Sequence, residues 1–542
     1  MQTITVALAM LLAIVVSGYL VRLAPLPLPL PLVQIALGAA IASVASLGVT
    51  LQPDIFFLLF LPPLLFLDGW RIPKEALFRD RAAILALALG LVVFTVVGVG
   101  YFVHWMIPAM PLPVAFALAA VLAPTDPIGV SAIAERVPIP KRMMLILQGE
   151  SLLNDASGLV CLRFAVAAAL TGAFSLPEAF LTFLRLAIGG LAIGAALTWG
   201  VAWLKGVLSR RVGEESGTQI LISVLIPFGA YMLAEHLGCS GILAAVAAGI
   251  TMSYAESSGQ ALAITRVRRS IVWDAVHFVA NGVIFVLLGE QLPAILSRVH
   301  QSGHGEPWWL LLYVVAITVC LAALRFAWVW TSLQFTLFRP RRIRADGARR
   351  PGLRPVAAMS VAGVKGAITL AGILTLPLVM SDGSPFPARD LAIALAGGVI
   401  ILSLLLAAVA LPRLLSGLEM PDESWHRMQE NRARVAAAEA AIRAIEQEHH
   451  RMARGRDDAD LYTQAATRIM DRYRERIDGS SRTGEAADGV RRLETIERSL
   501  RIAGRRAERE EVFRLAREHE LEQDAMRKLV REVDLLDARE SG

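Results

Sequence analysis

From the N-terminus to about residue 418 the chain reads as apolar runs separated by short polar ones. Each run is near the ~20 residues that cross a ~30 Å hydrocarbon core as a helix. A hydropathy window gives about thirteen of them: 2–21, 28–50, 54–68, 82–106, 112–133, 143–170, 178–204, 218–236, 239–255, 271–290, 307–337, 356–379 and 390–416. Beyond 418 the pattern changes. VAAAEAAIRAIEQEHH and EEVFRLAREHELEQDAMRKLVREVDLL place apolar residues every three to four positions with opposite charges four apart, the spacing of water-exposed helices. GSSRTGEAADG (479–489) divides this region in two. The prediction is an all-α polytopic membrane protein, with a membrane domain at 1–418 and a helical tail at 419–542.

Composition agrees. Of 542 residues 55% are hydrophobic and 18% charged, against about 25% charged in ordinary soluble proteins. The net charge of +6 does not point to nucleic acid, because the basic residues are spread through loops and no recognition motif accompanies them. Arg22, Arg71, Lys74, Arg79, Arg81, Arg136, Lys141, Arg142, Lys205, Arg210, Arg211, Arg266, Arg268, Arg269 and the cluster Arg339–Arg354 follow odd-numbered spans. Arg298 and Arg389 follow even ones. Positive loops stay inside, so the expectation is an N-terminus outside, a cytoplasmic tail, and insertion in the inner (cytoplasmic) membrane. Cys161, Cys239 and Cys320 stand alone in apolar runs, with no disulfide or zinc spacing; they read as small buried side chains. No nucleotide-binding glycine motif occurs in the tail, and no cofactor is expected.

Two spans are interrupted, one in each half. APTDP (123–127) breaks the fifth, because Pro124 and Pro127 lack an N–H and clash with the preceding turn. GVKG (363–366) breaks the twelfth. A pair of broken helices in corresponding places is the sequence pointer to a transport site built from inverted repeats. Carbonyls freed near Thr125 and the Asp126 carboxylate are hard oxygen donors suited to an alkali cation; Asp126 also reads as a cap on the half-helix that follows it.

The sixth span carries GESLLNDASG (149–158). A charge at that depth costs at least ~2.5–3.5 kcal/mol. On a helix Ser151 and Asp155 share one row and Glu150 and Asn154 the next, forming a single polar wedge. Asp155 can hold a cation or a proton, or can sit in a structural salt bridge. Arg325, in AALRFAWVW, needs a buried anion, and Glu150 suits it. Lys365 sits in the second break, where it would neutralise half-helix C-termini or an acid. Asp68, beside Trp70, reads as an interfacial acid or as an attractor of cations; Glu290 reads as interfacial.

LPPLLFLDG (61–69), APTDP (123–127), GESLLNDASG (149–158), FVLLGEQ (285–291), LRF (324–326) and GVKGAITLA (363–371), in this order, resemble the monovalent cation:proton antiporter 1 family, the sodium/proton exchanger type. The resemblance covers 1–418. It implies a thirteen-helix fold with discontinuous, crossing helices five and twelve, a six-helix transport core and a dimerisation domain, hence a homodimer. It implies that Asp155 is the main cation- and proton-binding acid, that Asp126, Ser151 and Thr125 contact the transported Na⁺, and that Asn154 belongs to the Asn-Asp pair of the electroneutral branch. It makes Glu150 and Arg325 a core ion pair and Asp68 a helper at the site. Lys365 departs from the pattern, which often has Arg there. Exchange of Na⁺, Li⁺ or K⁺ for H⁺ at one-to-one stoichiometry is the expectation. A K⁺/H⁺ antiporter of the same architecture, an intramembrane aspartyl protease using Asp126 and Asp155, and a cation channel are the alternatives. The partners expected are cations, protons and the lipid bilayer; what the tail binds is open.

Overall fold

The structure is a computed structural model. It describes residues 2–23, 29–44, 53–72, 81–126, 130, 139, 141–172, 176–212, 215–257, 263–301, 307–337, 353–380, 382–416, 424–454, 459–481, 485–518, 521 and 523–541. Pro127 and the basic loop residues Lys74, Arg79, Arg136 and 339–350 lie outside them. Two compact units result, Met1–Leu418 and Glu419–Gly542. Among the described residues regular structure is helical, apart from a bridge between Val379 and Pro385.

In the first unit the helices are α1 (Gln2–Leu23), α2 (Leu30–Val44), α3 (Pro53–Arg71), α4 (Arg81–Leu85), which runs through a π-helical turn (Ala86–Leu91) into α5 (Val92–Met106), α6 (Leu112–Leu122), α7 (Lys141–Thr171), α8 (Leu176–Val212), α9 (Ser216–His236), α10 (Gly241–Ser257), α11 (Ala263–Gln301), α12 (Pro307–Leu337), α13 (Leu353–Val361), α14 (Ala367–Leu374) and α15 (Arg389–Leu415). The described parts of the apolar runs fall on these helices; most of the second half of the fifth run, 127–133, lies outside the described residues. Eight of the helices are long and apolar enough to cross a membrane. Two outgrow their expected spans. α8 has 37 residues and α11 has 39, so at about 1.5 Å per residue each exceeds a ~30 Å core by 20 Å or more. Lys205, Arg210, Arg211, Arg266, Arg268, Arg269 and Arg298 are therefore on helices, not in loops. α9 and α10 are separated by a four-residue turn, Leu237–Ser240, made possible by Gly238 at φ +66°.

The packing is symmetric. α2 lies against α11 as α3 lies against α10; α1 meets α2 and α11 as α9 meets α10 and α3; α5 meets α6 as α12 meets α13; α6 meets α7 as α13 and α14 meet α15. The operation maps α1–α7 onto α9–α15. The extra crossing, α8, starts the second set on the opposite side, which is what inverts a repeat. The seams are glycine contacts. A side-chain carbon on Gly38 would fall 2.0 Å from the Val286 carbonyl oxygen, and one on Gly289 would fall 2.0 Å from that of Ile35. In the matching seam, Gly69 meets the Val246 oxygen at 2.5 Å and Gly249 the Phe66 oxygen at 2.0 Å. Only a residue without a Cβ lets the backbones approach this closely, the usual device of helix pairs in lipid.

The second unit holds four helices, α16 (Ser424–Ala453), α17 (Ala459–Ser481), α18 (Glu485–Arg517) and α19 (Gln523–Ser541). α16 packs on α17 and α18 on α19. The break expected at 479–489 is narrower than the composition suggested: helix runs to Ser481 and resumes at Glu485.

Candidate ion-binding site

α6 ends where Pro124 removes the N–H that would continue it; its last turn closes with Ala123 N–H donating to the Ala119 carbonyl at 2.9 Å. α13 ends in a tightened turn, Gly363 N–H to the Ser360 carbonyl at 3.3 Å. Val364–Gly366 are extended and α14 begins at Ala367. The two breaks meet: Asp126 N–H donates to the Val364 carbonyl at 2.8 Å. A Cβ on Gly366 would sit 1.8 Å from Asp126 Oδ2. The Asp126 carboxylate thus lies against the first residue before α14, at the positive end of that half-helix. The start of the half-helix that Asp126 is expected to cap lies outside the described residues.

Lys365 answers the opposite end. Its Nζ donates to the carbonyls of Ala123 at 3.2 Å and Pro124 at 2.9 Å. These are the carbonyls that the prolines strand at the C-terminus of α6. The oxygens expected to face an ion from this break are therefore partly taken by the ammonium. The Lys365 N–H donates to Ser403 Oγ on α15 at 3.1 Å, a contact the sequence reading missed. A lone serine in ILSLLLAAV was the available signal.

α7 lies against α6 through Gly158, where a Cβ would fall 2.3 Å from Pro124 Cγ. This places the polar wedge beside the first break. Glu150 accepts two hydrogen bonds from Arg325, Nη1 to Oε1 at 2.5 Å and Nη2 to Oε2 at 2.7 Å. Arg325 Nε donates to the Met359 carbonyl at 3.0 Å, so one guanidinium joins α12, α7 and α13. Thr125 Oγ1 donates to Glu150 Oε1 at 3.0 Å and accepts from Asn154 Nδ2 at 3.0 Å. The hydroxyl has a single proton and gives it to the carboxylate, so it must receive the amide's N–H; this fixes the orientation of Asn154. Asn154 Oδ1 is then left buried with no hydrogen-bond partner among the described residues.

Asp155 is 4% exposed. Among the described residues no hydrogen bond or ion pair engages its carboxylate, and the charges that act on it are those of Asp126, Asp68, Lys365 and Glu150. Ser151, one turn before it on the same row, is buried. Asp68 comes from α3, half-buried, and feels the charges of Asp126 and Arg71. The structure thus gathers Thr125, Asp126, Glu150, Ser151, Asn154, Asp155, Arg325, Lys365 and, from across α3, Asp68. Among the described residues, the buried oxygens of this cluster that receive no hydrogen bond include those of Asp155 and Asn154 Oδ1. No group of three or more His, Cys, Asp or Glu side chains forms a metal cage among the described residues. Glu290 is buried, and α11 continues eleven residues past it. The cysteines are unpaired and half-buried, less enclosed than expected.

The transmembrane sodium/hydrogen exchanger family matches residues 10–417. The chain belongs to that family. It is 41% identical to a protein of Escherichia coli K12 named as an uncharacterized Na(+)/H(+) exchanger, over 99% of each chain. It is 43% identical to a sodium, potassium, lithium and rubidium/H(+) antiporter of Bacillus pumilus, over 76% of this chain and 61% of that one. Its fold matches the sodium proton antiporter of Methanocaldococcus jannaschii at pH 8 with TM-score 0.57 and 18% identity, over 77% of this chain and 99% of that one. The protein is accordingly a membrane-spanning secondary transporter that exchanges cations for protons, not an enzyme.

Proposed function

We propose that the protein exchanges Na⁺, with Li⁺ or K⁺ as alternatives, for H⁺ at one-to-one stoichiometry, with Asp155 as the carboxylate for which the two ions compete. The observation that carries this is the unpaired, buried Asp155 beside the unpartnered Asn154 oxygen. An acceptor left unmade in a core costs ~1–3 kcal/mol, and a bare carboxylate costs more. A cation relieves both; a proton relieves the carboxylate. The other acid of the wedge, Glu150, is already engaged by Arg325 and Thr125. One exchanging acid means one proton per cation and no net charge moved.

Asp126 and Ser151 are the nearby oxygens that would complete the cation's shell, with Thr125 and Asn154 setting the wall and Lys365 holding the crossing closed. Asp68, on α3, would draw cations toward the site. Alternating access would come from the α4–α7 and α12–α15 halves moving against the glycine seams of α2, α3, α10 and α11. The orientation that suits the basic loops puts the N-terminus outside and the tail in the cytoplasm, with the protein a homodimer in the cytoplasmic membrane. The potassium- and lithium-transporting Bacillus relative favours a site of broad cation tolerance.

Proteoliposomes with a trapped pH dye, given Na⁺, Li⁺ and K⁺ in turn, test this. Each transported cation collapses the proton gradient, its apparent affinity falls as pH drops, and a valinomycin-clamped potential leaves the rate unchanged. A voltage-dependent rate would overturn the one-to-one reading, and cation current without proton movement would make the protein a channel.

A further inference from the structure

A cavity of about 270 Å³ lies away from the crossing, between α8, α9 and α10. Its floor is apolar, with Ile226 and Met252; its rim carries Lys205 and Arg210. Glu256 also lines it, but that carboxylate is engaged by Trp70 Nε1 at 2.7 Å and by Arg269, which neutralises it. Gln219 lines the same cleft, is 6% exposed, and has an Oε1 with no partner among the described residues. The depth of the cleft follows from its neighbours. On α8, Trp199 and Trp203 are 68% and 61% exposed, four residues apart, directly beside the basic pair. Exposed tryptophans of this kind mark the membrane–water interface.

An apolar floor on the lipid side, two cations at the headgroup level and one buried acceptor are complementary to an amphiphile with an anionic head and a hydroxyl. We propose that this cleft binds an anionic glycerophospholipid of the phosphatidylglycerol class. The phosphate oxygens accept from Lys205 and Arg210, an acyl chain covers Ile226 and Met252, and a headgroup hydroxyl donates to Gln219 Oε1. Cationic clefts between transmembrane helices suit anionic headgroups for the same reason that juxtamembrane basic clusters do. The site shares no residue with the ion crossing, so it stands whether or not Asp155 carries the exchange.

Native mass spectrometry of the detergent-purified full chain, titrated with phosphatidylglycerol, measures the affinity. The double variant Lys205→Gln/Arg210→Gln is expected to bind about 30-fold more weakly. Ala202→Phe, which fills the cleft from α8 and leaves both charges in place, weakens it as well and covers the case of a misfolded double variant. Phosphatidylcholine leaves no comparable adduct, and inorganic phosphate does not compete. Equal binding by wild type and both variants overturns the proposal. So does full competition by inorganic phosphate, which would make the cleft a site for a free anion.

Discussion

Arg325 in the membrane unit and Arg501 in the tail are both paired with a glutamate, and the pairs have little else in common. Arg325 is 5% exposed, makes two bonds to Glu150 and a third to the Met359 carbonyl, and joins three helices. Arg501 lies four residues from Glu497 on the same helix, at 2.7 Å, with about half of each side chain in solvent (55% and 48%). In water the tail pair is worth ~0–1 kcal/mol. In the core, desolvation makes each charge costly alone, so that losing one partner of the pair is strongly destabilising. Asp155, five residues after Glu150 on the same helix, is the third case: a buried acid with no hydrogen bond or ion pair among the described residues, which the proposed function assigns to the cargo. On the proposed function, structure comes from the acid that is paired, and exchange from the acid that is not.

The largest effect comes from removing the unpaired acid. Asp155→Ala is expected to lower exchange in proteoliposomes to the protein-free background, while the thermal unfolding midpoint in detergent stays within a few degrees of wild type, because no hydrogen bond among the described residues ends on that carboxylate. Retained exchange would overturn the assignment. A large fall in melting temperature would show that Asp155 is a structural member of the wedge, like its neighbour.

Next in size is the paired acid. Glu150→Gln leaves Arg325 as an uncompensated buried cation, and breaking such a pair by one partner costs ~3–5 kcal/mol. Yield and melting temperature should fall together, with exchange falling because the crossing is lost. The contrast sharpens in a double variant, Glu150→Leu/Arg325→Leu. With both charges gone it should recover part of the stability lost by the single one. If the double variant melts lower than Glu150→Gln, the pair does more than cancel its own burial.

What was legible in the sequence differs between these same places. The spans, the two breaks and the polar wedge were legible because each is a local signal: an apolar run, a proline or glycine interruption, an acid where none is tolerated cheaply. Glu150 and Arg325 could be matched because a buried charge demands a counter-charge and few were on offer. The main-chain bond from Asp126 to Val364 and the seat of Lys365 on Ala123 and Pro124 were not legible, since they depend on which half-helix end points at which. The reciprocal seams at Gly38 with Gly289 and Gly69 with Gly249 were hidden for a related reason: one glycine among 42 does not declare its partner. The overshoot of α8 and α11 was missed because hydropathy ends where the membrane does, while a helix continues as long as its residues allow.

The smallest effect belongs to the tail, where the inference rests on exposed charges. Arg509 donates to Asp534 at 2.9 Å and also to Asp537, and Arg505 reaches Asp537 at 3.5 Å. These contacts tie α18 to α19. Hydrogen bonding from Arg509, before that from Arg505, holds the Asp537 carboxyl below its usual range. A carboxyl lowered on folding adds stability above its unfolded value, and that contribution drains away as pH falls through the lowered one. Acidifying from neutral toward the ordinary carboxylate range should therefore leave the α18–α19 contact nearly intact, with loosening only below it. Amide hydrogen exchange along 523–541 in the full chain, followed as pH is lowered with intrinsic rates corrected, reads this directly. Asp537→Asn should show the loosened pattern already at neutral pH while exchange protection around Glu150 and Arg325 is untouched. Protection that is the same in wild type and Asp537→Asn at every pH would mean that α19 is held by its apolar face alone, and that these exposed bridges contribute nothing measurable.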